Sequence, residues 1–433
     1  MTDSDISSTF SRIEGFILQH KDEDPMRLLL SKGKWPDIDM DLAVSTIEGR
    51  KRMEKKVPSW SGKGLIYPGR LCTEQCSSES TALVKAAIAE RISPEGFSLA
   101  DLTGGIGVDS WAFSLHAGNV LHNEADRSLS EAVRFNFGKL GVKNAEFSAY
   151  KAVPDSVPET DWQRHIASLL GGFRADLIFL DPARRSSSGK KVFLLEDCSP
   201  DATALMPSLL EASPEVLMKL SPMADIPMVI SRIGEGVREV HVIGADSECK
   251  ELVIRISRGY SGDVTVHVHE DGKELVVPWG EEKERKAFCL DSPEELVRLS
   301  EGRGSLFIPG KTISKAGLFN WMSSEWKMAK AAPSAHIYFL PEGVSPQKEA
   351  YAFGRVLRII EAVPLSSAAL KDIGKRFPKS DVLSKDMPIQ SEELAKKMGV
   401  AQGGEFMTVG CPVRFRNKEK DGKWLFVCRK EIS

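Results

Sequence analysis

The chain has 433 residues, 42% of them hydrophobic and 27% charged, an ordinary globular composition too long for one core, so two to four domains are expected. A formal net charge of −3 argues neither for nor against nucleic acid, and any basic surface must be local. No apolar run reaches the roughly 18 residues of a membrane span, the polar start "MTDSDISS" has no signal-peptide pattern, and seven scattered cysteines lack any CxxC pair, so a cytoplasmic, membrane-free protein with reduced thiols is expected.

Residues 1–93 are expected to form a helical domain. "FSRIEGFILQH" and "DPMRLLLSK" have amphipathic spacing, "DLAVSTIEGRKRMEKKV" is longer and basic, and "SSESTALVKAAIAERI" has a polar start followed by an apolar stripe. Between the last two lies the Pro/Gly-rich "PSWSGKGLIYPGRLCTEQC".

From 94 to 259 strands alternate with helices, the pattern of a parallel sheet covered on both faces. Seven apolar runs can be buried strands: "FSLAD", "NVLHNE", "AEFSA", "ADLIFLD", "EVLMKLS", "EVHVIG" and "ELVIRIS". Ser128 and Glu131 have capping-box spacing for the helix after the second run, and Gly141 stands where a left-handed residue would end it. The last two runs are separated only by "ADSECK", too short for a helical crossover, and are expected to pair antiparallel.

Between the first run and its helix lies "LADLTGGIGVDSWAFSL". A dinucleotide fingerprint G-x-G-x-x-G fails here, because Gly105 and Gly107 are followed by Ser110. The pattern Asp101-x-x-Gly104-Gly105-x-Gly107 instead resembles the first motif of class I methyltransferases that use S-adenosylmethionine. That resemblance assigns Asp101, Thr103, Gly104, Gly105 and Gly107 to the cofactor, with the acid near its ammonium group. Glu124, at the end of the second run, is spaced to accept from two ribose hydroxyls; Asp126 is the alternative. The family often has an acid after the third strand, near adenine, where this chain offers Ser148. Gln75 and Ser77 resemble the segment that closes over the methionine end, and read equally well as a helix cap.

The fourth run ends in Asp181-Pro182-Ala183-Arg184. In this family the tetrapeptide after strand four lies beside the transferable methyl, so the resemblance makes Asp181 the residue that orients or deprotonates the acceptor and Arg184 the one that steers it. The Asp-Pro-x-Arg form is similar to uracil C5 methyltransferases of RNA. Those need a cysteine nucleophile after the fifth strand, where this chain has Ser221. Transfer to nitrogen or oxygen is therefore expected over carbon. Arg184, Arg185, Lys190 and Lys191, interleaved with serines, suit a phosphate backbone, although most charge runs are solvated faces.

Beyond 260 the style changes. "DVTVHVHEDGKELVVPW" alternates with period two around Asp271-Gly272, a hairpin signal. His267 and His269 share one face of that strand and, without a carboxylate in register, read as sheet surface; no metal site is expected. Trp321 and Trp326 read as core-facing helix residues, and a final hairpin is expected to turn at Asp421-Gly422. From Pro364 to Ser433 there are 14 Lys/Arg against 9 Asp/Glu, a net of +5. This segment, through "LSKDMPIQSEELAKKMGVAQGGEF" and "KWLFVCRK", resembles a THUMP-like domain, related to RNA-binding domains of tRNA and rRNA modifying enzymes. Residues 260–332, with "SLFIPGKTISKAGLF", resemble the ferredoxin-like module that accompanies it, and 333–433 the THUMP-like domain itself.

Over nearly its full length the chain thus resembles bacterial class I methyltransferases with a C-terminal THUMP-like domain. The resemblance implies an α/β protein: a helical N-terminal domain, a seven-stranded Rossmann-like sheet, and two small α+β modules. It further implies an S-adenosylmethionine-dependent enzyme acting on structured RNA, tRNA or rRNA. The rival readings are transfer to a protein or small molecule, and a non-catalytic RNA-binding protein with a vestigial cofactor site.

Overall fold

The computed structural model of the protein describes residues 3–152, 158, 161–184, 198–199, 201–340 and 349–430. The chain divides into two compact units, one of residues 1–245 and 250–262, the other of residues 246–249 and 263–433.

All seven apolar runs become strands. They are β1 (Ser98–Asp101), β2 (Asn119–Asn123), β3 (Ala145–Ser148) and β4 (Leu177–Leu180), then, after a two-residue pair β5 (Ala183–Arg184) and β6 (Cys198–Ser199), β7 (Glu215–Leu220), β8 (Val237–Ala245) and β9 (Glu248–Ser257). In the first unit they lie in the order β8-β9-β7-β4-β1-β2-β3. β1 pairs in parallel with β2 and β4, β2 with β3, and β4 with β7. β9 runs antiparallel to β7. The connection from β8 to β9 is only Asp246 and Ser247, with φ of 55° and 60°, the left-handed pair that a two-residue hairpin demands. Strands buried on both faces need apolar residues without alternation, and Leu99, Phe179, Leu217, Ile243 and Val253 accordingly share one core. The order of connections reverses between β1 and β4, and in open α/β sheets the crevice outside the strand tips at that point is where ligands bind.

The helix Arg127–Leu140 departs from the expected capping box. Its N-cap is Asp126, whose Oδ1 accepts from Ser128 N at 2.9 Å and Leu129 N at 3.2 Å. One carboxylate oxygen satisfies two otherwise orphan donors, and Glu131 pairs instead with Arg127 at 3.0 Å. Gly141 ends the helix with φ of 77°, as expected.

Helices Asp3–His20, Pro25–Leu30 and Met40–Lys56 bury Phe10, Ile13, Ile17, Leu28 and Ile47 together with Ala132 of the helix Arg127–Leu140. The following loop is latched to that same helix. Asn136 accepts from Ile66 N and donates to Ile66 O, each at 2.8 Å. Trp60 meets Trp111 edge-on at 5.7 Å between ring centroids. These contacts carry the segment that joins helices Arg70–Gln75 and Glu79–Ile92 to the glycine loop.

In the second unit β10 (Thr265–Glu270) and β11 (Lys273–Pro278) pair antiparallel around Asp271-Gly272, with φ of 44° and 78°. His269 stands directly opposite Glu274. A carboxylate is therefore in register with the histidine pair, which corrects the sequence expectation; the two-residue turn alone fixes that register. A seven-stranded sheet is built from β12 (Ser305–Pro309), β13 (Ala329–Ala332), β14 (Ala335–Leu340), β15 (Gly354–Pro364), β16 (Lys379–Ser384), β17 (Ala401–Val413) and β18 (Gly422–Lys430), in the order β13-β14-β12-β15-β18-β17-β16. Only β16 and β17 pair in parallel. β12 joins β15 edge to edge, so the two stretches read as separate modules share one sheet. Helices Ser367–Arg376 and Ser391–Met398 seal it with Ile373, Leu394 and Met398 against Leu425 and Val427. The last hairpin turns over residues 414–421, because Gly422 already pairs with Val413. Trp321 and Trp326 are buried, their rings 5.5 Å apart. No described helix is long and apolar enough to cross a membrane.

Candidate active site

The glycine loop is held from below by Asp101, at the tip of β1. Its Oδ1 accepts from Thr103 N at 3.1 Å and its Oδ2 from Ser110 Oγ at 2.6 Å. Ser110 Oγ also lies 2.9 Å from His122 Nδ1 on β2. This explains why a serine stands where a dinucleotide fold would have its third glycine: the hydroxyl ties β1, β2 and the helix Val108–Ser114 together. Burial pushes the Asp101 carboxyl up to about 7, with the Ser110 hydrogen bond opposing, and holds His122 neutral by lowering it to about 3. Two glycines are sterically required. A Cβ on Gly104 would fall 2.1 Å from the His122 ring, and one on Gly107, at φ +84°, would sit 2.8 Å from Val133.

Above the loop opens a cavity of about 500 Å³, within the range of small-molecule sites. Thr103, Gly104, Gly105, Gly107, Glu124, Asp126, Gln75, Ser77 and Asp181 all line it. Glu124 reaches from the end of β2 to the loop: its Oε2 accepts from Gly105 N at 2.9 Å and its Oε1 from Asp126 N at 2.8 Å. Two expected members do not line it. Asp101 is spent on the loop's own hydrogen bonds, because it lies beneath the loop and is 1% exposed. Ser148 turns to Asn123, donating to its Oδ1 at 2.8 Å, and the wall beyond β3 is supplied by Tyr150, Lys151 and Ala152. Asn123 organises that wall, since its side chain also donates to Leu102 O and Tyr150 O and accepts from Tyr150 N.

Asp181 follows β4, and its backbone N–H donates to Thr103 Oγ1 at 2.7 Å, which ties the end of β4 to the glycine loop. Its Oδ2 meets Lys219 Nζ from β7 at 2.7 Å. Behind this pair lies a buried ionic cluster. Lys85, fully buried, pairs with Asp109 at 3.0 Å and with Glu251, and Ser77 Oγ bridges Lys85 at 2.9 Å to Asp109 at 2.8 Å. Burial alone would lower Lys219, but Asp181, Glu251 and Asp109 outweigh it and raise the ammonium above its ordinary value. Burial likewise opposes ionisation of Asp109, and Lys85 with Lys219 overcomes it. The cluster is paired and largely buried.

The side chain of Arg184, and Arg185, Lys190 and Lys191 entirely, lie outside the described residues. Sequence reasoning missed Lys219, Lys85, Asp109, Glu251 and Asn123. Two left a trace. Lys219 interrupts the apolar "EVLMKL", and Lys85 sits among Ala82, Ala86 and Ala89 on one helical stripe, where a lone lysine must have a partner.

Residues 354–430 match the THUMP domain-like family. No curated protein matches the chain. Over its full length the chain is similar to a candidate methyltransferase from Porphyromonas gingivalis W83, at 26% identity over 99% of each chain with a TM-score of 0.81. NSun6 from Pyrococcus horikoshii with SFG (15% identity, 42% of this chain and 52% of that one, TM-score 0.30) is too distant to carry an argument. So is Trm5b from Pyrococcus abyssi (12% identity, 42% and 49%, TM-score 0.28). The switch-point cavity, the strand order and the full-length likeness converge: the chain has the class I methyltransferase fold, with a THUMP-like domain at its C-terminus.

Proposed function

We propose that the protein is an S-adenosylmethionine-dependent methyltransferase acting on a nucleotide of structured RNA, tRNA or rRNA, with transfer to nitrogen or oxygen. The observation that carries this reading is the cavity of about 500 Å³ lined together by Glu124, the glycine loop and Asp181. The residues present fit the cofactor. Glu124 spends one acceptor site per oxygen on Gly105 N and Asp126 N, and an ionised carboxylate has further lone pairs for two ribose hydroxyls. The Tyr150 ring and Leu71, both more than half exposed on the lining, offer apolar surface to a base.

Such a cofactor supplies a methyl group already activated by a positive sulfur, so the protein's own work is alignment and exclusion of water. Asp181 accepts a hydrogen bond from the acceptor amine or hydroxyl and takes its proton. Lys219, pairing with one oxygen of Asp181, fixes the direction of the other. Arg184 and the basic stretch Arg185, Lys190 and Lys191 steer the nucleotide and its phosphates. Two cysteines, Cys72 and Cys76, line the cavity, but burial raises both thiols, Cys72 to about 11. A covalent nucleophile needs the opposite shift, which favours nitrogen or oxygen as the acceptor. The net charge of +5 from Pro364 to Ser433, in the THUMP-like part, supports RNA as the partner.

Calorimetry with S-adenosylmethionine, and mass spectrometry of nucleosides from a deletion strain against its parent, test this. One missing methylated nucleoside with saturable cofactor heat is the expected result. No heat would leave a vestigial site, and cofactor binding with an unchanged nucleoside profile would point to a protein or small-molecule acceptor.

A further inference from the structure

Outside the cavity, a second group of chemistry-bearing side chains lies on the β10–β11 hairpin. We propose that this hairpin binds a divalent transition cation of the zinc class through His267, His269 and Glu274, a site independent of the methyltransferase reading.

Three observations place the ligands. His267 and His269 are two apart on one strand and so share a face; their rings stack with centroids 6.3 Å apart and planes 11° from parallel. Glu274 is the cross-strand neighbour of His269. Its Oε1 lies 2.8 Å from His267 Nδ1 and 3.8 Å from His269 Nε2, and one ligand atom from each residue falls within 4.8 Å of the others. A tetrahedral zinc with bonds of about 2.0–2.2 Å holds neighbouring ligand atoms about 3.3 Å apart. The two measured separations straddle that value, so small side-chain rotations suffice.

The scaffold is rigid. The Asp271-Gly272 turn fixes the register, and six residue pairs follow it. The His267 and His269 side chains are 8% and 12% exposed and Glu274 is 33% exposed, so the imidazoles are held in place while the carboxylate side admits an ion. The donor set selects the metal. Two imidazole nitrogens and one carboxylate suit zinc and its neighbours, whereas calcium and magnesium require oxygen ligands. A plain Glu–His ion pair would use one imidazole. Here both imidazoles direct a nitrogen at the same carboxylate oxygen, the convergence of three donors that a shared cation requires.

The test uses the full chain, stripped with a chelator and titrated with zinc chloride. Uptake of one zinc per chain, with a rise in thermal midpoint, is expected. His269→Gln and Glu274→Gln, both at partly exposed positions, should each weaken zinc at least about 10-fold, since even outer-shell losses cost about that much, with unchanged circular dichroism. Cobalt(II) in place of zinc should give d–d absorption without a thiolate band. A wild-type chain that takes up no more zinc than the double variant overturns the proposal, as does a thiolate band from cysteine ligation.

Discussion

Lys219 Nζ stands 2.7 Å from Asp181 Oδ2, across the neighbouring strands β7 and β4. The ammonium is anchored in turn by Ser77 Oγ at 3.3 Å and Glu251 at 3.9 Å, so the carboxylate beside the cavity has one direction rather than several. If Asp181 handles the acceptor's proton, Asp181→Asn should lower methyl transfer to RNA from a deletion strain by at least about 100-fold. Cofactor affinity should stay within a few-fold. A parallel fall in both, read by transfer assay and calorimetry, would make Asp181 a cofactor-binding residue instead.

Glu124 is the converse case. Hydrogen bonds to a charged group contribute about 1.5–3 kcal/mol each, and two are at stake with the ribose. Glu124→Ala should therefore weaken S-adenosylmethionine by at least about 10-fold in calorimetry. Because Glu124 also holds Gly105 N and Asp126 N, amide exchange of the loop should rise in the same variant. Undiminished affinity would shift the ribose contact to Asp126.

Lys85 is fully buried against Asp109 and Glu251. Removing one partner of a buried ionic group leaves the others uncompensated, at about 3–5 kcal/mol. Lys85→Met should show that loss in urea unfolding. Replacing all three members by apolar residues of similar volume should recover much of it. A single variant as stable as the parent would mean that the cluster is hydrated.

Gly107 combines φ of +84° with a close approach to Val133 and Phe137. Gly107→Ala adds backbone strain of about 1–3 kcal/mol and pushes the loop away from the helix Arg127–Leu140. Both the thermal midpoint and cofactor affinity should drop, whereas Gly138→Ala, with open space around its Cβ, should leave affinity unchanged.

Asp101 gives a pH signature. Its folded carboxyl titrates at about 7 because it is buried, whereas an unfolded aspartate titrates at about 3.9. Between those values the folded chain binds the extra proton, so this group's contribution to stability falls as pH rises from about 4 to about 7, by roughly 1 kcal/mol per unit. Asp101→Asn keeps the shape and removes that slope. The difference between variant and parent in urea unfolding should grow in favour of the variant across this window and be flat above it. A difference independent of pH would show that Asp101 is ionised throughout.

The seven sheet strands of the first unit, the glycine loop and the Asp271-Gly272 turn were legible in the chain itself. Apolar runs, left-handed φ and hairpin length are properties of a few adjacent residues, and the physics that enforces them acts locally. The position of Glu124 beside the loop was legible for the same reason, since it follows a strand whose tip must face the loop.

What only the tertiary structure decided is which distant charges meet. Lys85 and Glu251 are 166 residues apart, and Lys219 and Asp181 are 38 apart on neighbouring strands. A lysine in an apolar run announces that it needs a partner but not which one, because Coulombic pairing depends on position in space. The same holds for Asp101, whose motif placed it by the ligand while burial beneath the loop directed it to Ser110 and Thr103. It holds again for Ser128, which lost the helix cap to Asp126 because the chain's path into the helix, rather than the spacing, chose which oxygen reached the free N–H groups.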